Sequence, residues 1–459
     1  MKAPMSPPPL DQLMRRLQAV APSRPADLLM GVMNGVRTAG PYLPWDEMRR
    51  RPPPEGMTHE EWWLIAKLER NSMKRRTPLV DKDGREFTYA LPDEVLRGID
   101  EVNRNASGII SISEQVTNPA TRDRYLVNSL IEEAITSSQL EGASTERSVA
   151  KEMIRSGRRP KTRDERMIFN NYNAMQRVHG VRDEDLSPEL ICEIQKMVTD
   201  GTLDNPHASG RFQLPSEVRV SVISHTGHVL HEPPSARELP ERVERLCEFA
   251  NGRDESDLYI PPVLRAITVH FMLSYDHPFE DGNGRTARAL FYWSMLRQGY
   301  WLTEFLAISK ILRGAQARYG YSFLHTEHDD NDLTYFHIYQ LDVIRRSIRE
   351  LHEYLARKMD EIRGLQRSLA MLPGEFNHRQ VALLENAARR PGQTYTAFSH
   401  AGSHNVTVET ARQDLVSLEG RGLLQRAKFG RAHAWVPHPD LASRLDQRLT
   451  TGNSQDERA

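Results

Sequence analysis

Cysteine is nearly absent: Cys192 and Cys247 are the two in 459 residues. Two thiols without CxxC spacing cannot build a disulfide framework, and buried, reduced side chains in a cytosolic protein are expected. Net charge is absent as well. The 61 basic and 62 acidic residues leave a formal charge of -1, which excludes binding of polyanions by bulk charge and makes any basic site a local one. No stretch approaches the roughly 18 consecutive apolar residues of a membrane span. The first residues, MKAPMSPPPLDQLMRR, contain no long apolar run of the kind a secretory leader carries. A soluble, cytoplasmic protein with no membrane contact is expected. Internal repeats and long low-complexity segments are also missing.

What is present is a globular composition, 39% hydrophobic and 27% charged, at a length that suggests about three domains. Residues 1–100 read as an N-terminal extension, partly irregular, to which no function is assigned. PPPL, PSRP, YLPW and RRRPPPEG should break regular structure over the first sixty residues. THEEWWLIAKLERN then reads as a helix capped by Thr58, with Glu60 and Glu61 in its first turn. A small hairpin is expected about the Asp83-Gly84 turn. From 101 to 365 the pattern is mainly helical. A helix over about 122–142 places Val127, Ile131, Ile135 and Ser138 on one stripe and stops at Gly142. SGRRPKTRDER, 156–166, reads as a solvated basic connection. RVSVISHTGHVL alternates like a β-hairpin about His225-Thr226-Gly227, and the next helix buries Leu239, Val243, Leu246 and Phe249.

Two apolar helices, PPVLRAITVHFMLSYD and RTARALFYWSMLRQG, flank the stretch HPFEDGNGRTAR, His277 to Arg288. Pro278 disfavours helix at the residue before it, so the first helix should end at His277 with the imidazole beside a loop. Gly282-Asn283-Gly284 permits unusual backbone angles and close approach to the main chain. A helix beginning near Arg285 points free N–H groups and its positive end back at that loop, which is an anion site. Arg285 and Arg288 add forked donors suited to phosphate oxygens, and Asp281 is a hard carboxylate able to hold Mg²⁺. His277 can deprotonate an incoming hydroxyl. The sum is phosphoryl or nucleotidyl chemistry.

This stretch resembles the signature of Fic (fido) proteins, HxFx[DE]GNGRxxR, with every specified position filled. The resemblance implies a mainly α, Fic-type helical core with a β-hairpin flap. It also implies a protein adenylyltransferase that moves AMP from ATP to a Tyr, Thr or Ser hydroxyl of a protein substrate. By position, His277 would be the general base and Asp281 the Mg²⁺ ligand. Gly282, Asn283 and Gly284 would hold the α- and β-phosphates, Arg285 would assist, and Arg288 would fix the γ-phosphate. Glycine at 284, where the kinases of the superfamily carry lysine, argues for AMP transfer. Ala287 stands where many members have glycine.

Upstream, SSQLEGAS resembles the inhibitory motif [ST]xxxE[GN], filled by Ser137, Glu141 and Gly142. Ser137 and Glu141 share a helix face. Packed beside the nucleotide loop, Glu141 would pair with Arg288 and take the γ-phosphate's place. The hairpin around 219–230 lies where the family's target-docking flap lies.

Residues 374–440 read as three helices and a hairpin, resembling a winged helix-turn-helix, with Val408, Ala411, Leu415 and Leu418 as the buried stripe of the third helix. Arg412, Arg426, Lys428 and Arg431 would be the DNA contacts. Residues 441–459 read as a flexible tail. Two alternatives stand beside AMP transfer: a DNA-binding transcriptional regulator with a nucleotide-sensing core, and an enzyme that removes AMP. A homodimer is a further expectation.

Overall fold

The computed structural model describes residues 3–34, 40–107, 119–224, 227–253, 259–372, 374–389, 393–429 and 432–447. The chain divides into a first unit, chiefly the residues up to Arg349, and a second from Glu350 onward.

The first unit is mainly helical. Its N-terminal helices are α1 (Leu10–Val20), α2 (Arg24–Met33), α3 (Trp45–Met48) and α4 (His59–Met73). The prolines expected to break this region instead start its helices: Pro9 precedes α1 and Pro25 lies in the first turn of α2, where a missing N–H costs no helical bond. At α4 the reading holds. The Thr58 side chain accepts from the Glu61 N–H and Glu61 returns the bond to Thr58. Strands β1 (Arg75–Val80) and β2 (Glu86–Tyr89) form the antiparallel hairpin expected about Asp83-Gly84.

Residues before 100 are tied into the rest of the unit. Lys67 Nζ lies 2.6 Å from Asp329 Oδ1, both nearly fully buried, and 2.7 Å from Asp330. Arg70 donates to the Tyr335 hydroxyl and the Leu43 carbonyl, and the Tyr42 hydroxyl donates to Asp332. Buried charges need such partners, and the side-chain partners here lie more than 250 residues away along the chain.

Helices α5 (Asp93–Ala106), α6 (Pro119–Leu140), α7 (Arg147–Ser156), α8 (Arg163–Gly180) and α9 (Pro188–Thr199) follow. In α6 the buried stripe is Leu130, Ile131, Ala134, Ile135 and Ser138, whereas Val127 is exposed. A second hairpin, β3 (Val222–Ile223) and β4 (Val229–His231), precedes α10 (Leu239–Asn251), α11 (Pro262–Asp276) and α12 (Asn283–Arg297). Helix α12 is buried round most of its circumference and packs along α11, α9 and α8, so it is the central helix of the unit. Phe271, Leu273, Phe279, Phe291 and Trp293 have no exposed surface. Helices α13 (Ile308–Gly314), α14 (Gln316–His328) and the start of α15 (Thr334–Ala370) complete it. The boundary expected at 365 falls inside the continuous helix α15.

The second unit holds α16 (His378–Arg389), α17 (Ala397–His404), α18 (Val408–Gly420) and the antiparallel pair β5 (Leu424–Phe429) and β6 (Ala432–Pro437). Tyr395 adds a bridge to Trp435. Ala411, Leu415 and Leu418 are fully buried as expected, but Val408, at the first position of α18, is exposed. The tail reading fails for 441–447: Leu441 and Leu445, four apart, bury a helical stripe in this core.

Replacing Lys67 by alanine leaves Asp329 buried without its counter-charge. Denaturant unfolding should show a loss of about 3–5 kcal/mol.

Candidate active site

A cavity of about 660 Å³ opens where α6, the β3–β4 hairpin, α12 and α14 meet, and it exposes both His277 and the start of α12. Its floor is the loop from His277 to Gly284. His277 ends α11 in the left-handed region at φ 46, which turns the chain out of the helix immediately before Pro278. Phe279 is fully buried and anchors the loop. Asn283 closes it: its side-chain oxygen accepts from the Phe279 N–H at 2.9 Å, and its amide donates to the Phe279 carbonyl at 2.8 Å. Both ends of that side chain are therefore engaged with the loop, and the backbone of Asn283 is what it offers a ligand.

The helix starts at Asn283, two residues before the expected position, so Gly284 lies inside its first turn. Gly282 alone of the two glycines has positive φ, 86, and a Cβ there would sit 2.7 Å from a Thr199 methyl. Gly284 is needed for space. A Cβ on it would overlap Glu141 Oε1.

Glu141 thus lies against the start of α12, where the first N–H groups have no helical partner and the dipole end is positive. Its Oε1 is 2.8 Å from Arg288 Nη2. Arg288 is itself buried, and Ser137 holds it twice, through Oγ at 2.8 Å from Nε and through its carbonyl at 3.0 Å from Nη2. Gly142, at φ 97, carries the chain away after α6. A carboxylate, two acceptors from one serine and a helix start all converge on one arginine.

Arg285 behaves differently from the expected phosphate ligand. Its side chain is fully buried, donates to the Val198 carbonyl at 2.6 Å and lies 3.3 Å from the Asp281 carboxylate, outside the cavity lining. It braces the loop against α9. Asp281 is half-exposed, lines the cavity, and accepts from the Gly282 N–H. One accessible carboxylate, such as Asp281 offers, fits a Mg²⁺ ion that keeps water and substrate phosphates as its other ligands. Among the described residues no group of three His, Cys, Asp or Glu side chains gathers about one metal position.

Burial pushes the His277 imidazole down to about 4, helped by the positive neighbours His231 and Arg219 and opposed by Glu141 and Asp281. A neutral ring at physiological pH is a proton acceptor. His231, also on the cavity wall, goes the other way. Burial would lower it, but a hydrogen bond to Glu327 and the Tyr275 carbonyl outweigh that and raise it. Tyr319, another wall residue, has its hydroxyl 2.8 Å from His270 Nε2, and burial pushes it up to about 12.

Several supports carried no sequence signal. Gln195 donates to the Asp281 carbonyl at 3.0 Å and accepts from the Gly210 N–H at 2.6 Å, tying the loop to α9. Glu133, two turns before Glu141 on α6, is fully buried and takes donors from Tyr292, the Ser309 N–H and the Ser309 hydroxyl. In the second unit Arg412 is paired with Glu409 and Arg426 with Glu419. The side chain of Lys428 and all of Arg431 lie outside the described residues, as do His225 and Thr226 of the flap turn.

The arrangement is an anion-binding helix start with a neutral imidazole beside it, set in a helical core. Residues 185–295, which hold α9 through most of α12, match the Fic/DOC family and form a Fic/DOC family domain of this chain. Protein adenylyltransferase fic-1 of Caenorhabditis elegans is 32% identical over 137 residues, 30% of this chain and 24% of that protein. Protein adenylyltransferase Fic of Nematostella vectensis is 29% identical over 137 residues, 30% of this chain and 28% of its own length. The matched region thus spans about a quarter of these curated relatives. A crystal structure of a Fic family protein from Desulfovibrio desulfuricans G20 aligns with 77% of this chain and 98% of its own, at TM-score 0.48 and 16% identity.

In an NMR titration of the intact protein, the His277 ring should titrate near pH 4 instead of the ordinary value of about 6.5. Its unfolded form takes up a proton at the higher pH. The contribution of this group to stability is therefore complete above about pH 6.5 and is lost as pH falls toward 4.

Proposed function

We propose that this chain transfers AMP from ATP to a Tyr, Thr or Ser hydroxyl of a protein, and that Glu141 restrains it. The observation that carries the reading is the Glu141–Arg288 pair at the start of α12, with the neutral His277 in the same cavity. A triphosphate and a carboxylate compete there for one arginine and one helix end.

In the reaction, His277 takes the proton of the acceptor hydroxyl. The oxygen forms a bond to the α-phosphorus, the bond from that phosphorus to the β-phosphate bridging oxygen breaks, and pyrophosphate leaves. The N–H groups of Asn283 and Gly284 and the Arg288 guanidinium stabilise charge on the phosphates. Asp281 would hold Mg²⁺, whose chemistry is to neutralise phosphate oxygens. Arg285 acts through Asp281 and the Val198 carbonyl, keeping the loop in shape. With Glu141 in place, Arg288 is unavailable to the γ-phosphate and ATP binds unproductively.

The protein acceptor is supported by the relatives' names, and the exposed edge of β3 is a surface on which an extended segment can add as a strand. The three helices and hairpin of the second unit support a winged-helix reading by arrangement alone. DNA contact gains little from Arg412 and Arg426, since each guanidinium is already matched by a carboxylate of its own unit.

The test uses ATP labelled at the α-phosphate. Glu141→Gly should raise labelling of the chain itself or of lysate proteins by about tenfold or more, and His277→Ala on that background should lower it by about 10²–10⁴-fold. A Glu141→Gly protein that binds ATP and labels nothing contradicts transfer.

A further inference from the structure

His231 is the last residue of β4, and its partner across the ladder is Val222 on β3. Its ring is buried, and each nitrogen faces an acceptor. Nε2 lies 2.7 Å from the Tyr275 carbonyl oxygen, and Nδ1 lies 2.7 Å from Glu327 Oε2. A carbonyl can only accept, so Nε2 carries a proton. An ionised Glu327 needs a second proton at Nδ1, and a ring with both is an imidazolium. Three elements therefore meet on one side chain: the hairpin, α14 through Glu327, and the last turn of α11 through Tyr275. Tyr275 stands two residues before His277. The ring also packs on the Tyr275 ring, with centroids 4.8 Å apart.

We propose that His231, as an imidazolium donating to Glu327 and to the Tyr275 carbonyl, is a positioning residue that fixes the hairpin edge relative to His277. An acceptor segment laid along Val222–Ile223 then presents its hydroxyl to the base at one register. The idea deepens the transfer reading and rests on it. It assigns the clamp to the transfer geometry and not to nucleotide binding, because the ring touches the hairpin and the end of α11, while the phosphate side of the cavity is built from α12 and α6.

The groups facing the ring are few. Glu327 faces it from α14, and the buried Asp276 carboxylate and the Tyr275 carbonyl from α11. Glu232 follows it just past the end of β4, His277 is the protonatable neighbour at the end of α11, and Arg242, Arg219 and Lys82 carry the positive charge around Asp276 and Glu232. Arg242 pairs with Asp276 and Lys82 with Glu232, so Glu327, hydrogen-bonded directly to Nδ1, is the anion that holds the second proton on the ring.

The experiment uses the full chain with Glu141→Gly as parent. Adding His231→Ala should slow self-labelling by α-labelled ATP by about ten- to a hundredfold, since a small misplacement of reacting groups has that effect. The ATP dissociation constant measured by calorimetry should stay where it was. The parent's labelling rate should fall on the alkaline side as the ring loses its second proton. His231→Gln keeps one donor without the charge, so it should recover part of the rate and lose that alkaline limb. Hydrogen exchange at Val222–Ile223 and Val229–His231 should quicken in His231→Ala while the start of α12 stays protected. Parallel loss of ATP binding, an alkaline limb unchanged in His231→Gln, or unchanged exchange in the hairpin would each overturn the proposal. If the parent labels nothing, AMP transfer is what fails, and the exchange measurement still decides the clamp.

Discussion

One arginine, buried in the second turn of a central helix, sets the terms for the rest of the site. Arg288 has almost no contact with water, so its charge must be met inside the protein. Ser137 meets it with a hydroxyl and a carbonyl, and Glu141 meets it with a carboxylate. The helix end beside it adds more unmet positive charge. A protein built this way needs an anion at that point, and here the chain supplies its own.

The surrounding fold holds both halves of that contact. Helix α6 is fixed by its apolar stripe and by Glu133, whose buried carboxylate takes three donors from α12 and the start of α13. The loop before α12 is fixed by Arg285, Gln195 and Asn283, all working inward. Rigid walls on both sides leave one space at the start of α12, and Glu141 fills it. Gly284 is where the packing is tightest, since its missing side chain leaves the room Glu141 fills.

Much of this was legible in the residues. The loop, the histidine at a helix end, and the face shared by Ser137 and Glu141 follow from proline, glycine and helical spacing. Other parts were not. Arg285 and Arg288 look equivalent in sequence, three apart and equally forked, yet only Arg288 faces the cavity. Their difference lies in what packs against each, Val198 on one side and Ser137 on the other, and local pattern does not contain that. The same holds for Gln195, Glu133 and His231, ordinary polar residues until tertiary packing gives them buried partners. The proline-rich first sixty residues misled for a local reason, because proline at a helix start has the opposite meaning from proline within one.

The central claim is that Glu141 stands where a terminal phosphate would. Its most direct test is a crystal structure of the Glu141→Gly protein with Mg²⁺ and a non-hydrolysable ATP analogue. The account predicts the terminal phosphate within hydrogen-bond distance of the Arg288 guanidinium, and the α-phosphorus open toward His277. A triphosphate lying elsewhere in the cavity, with Arg288 still held by Ser137 alone, would contradict it.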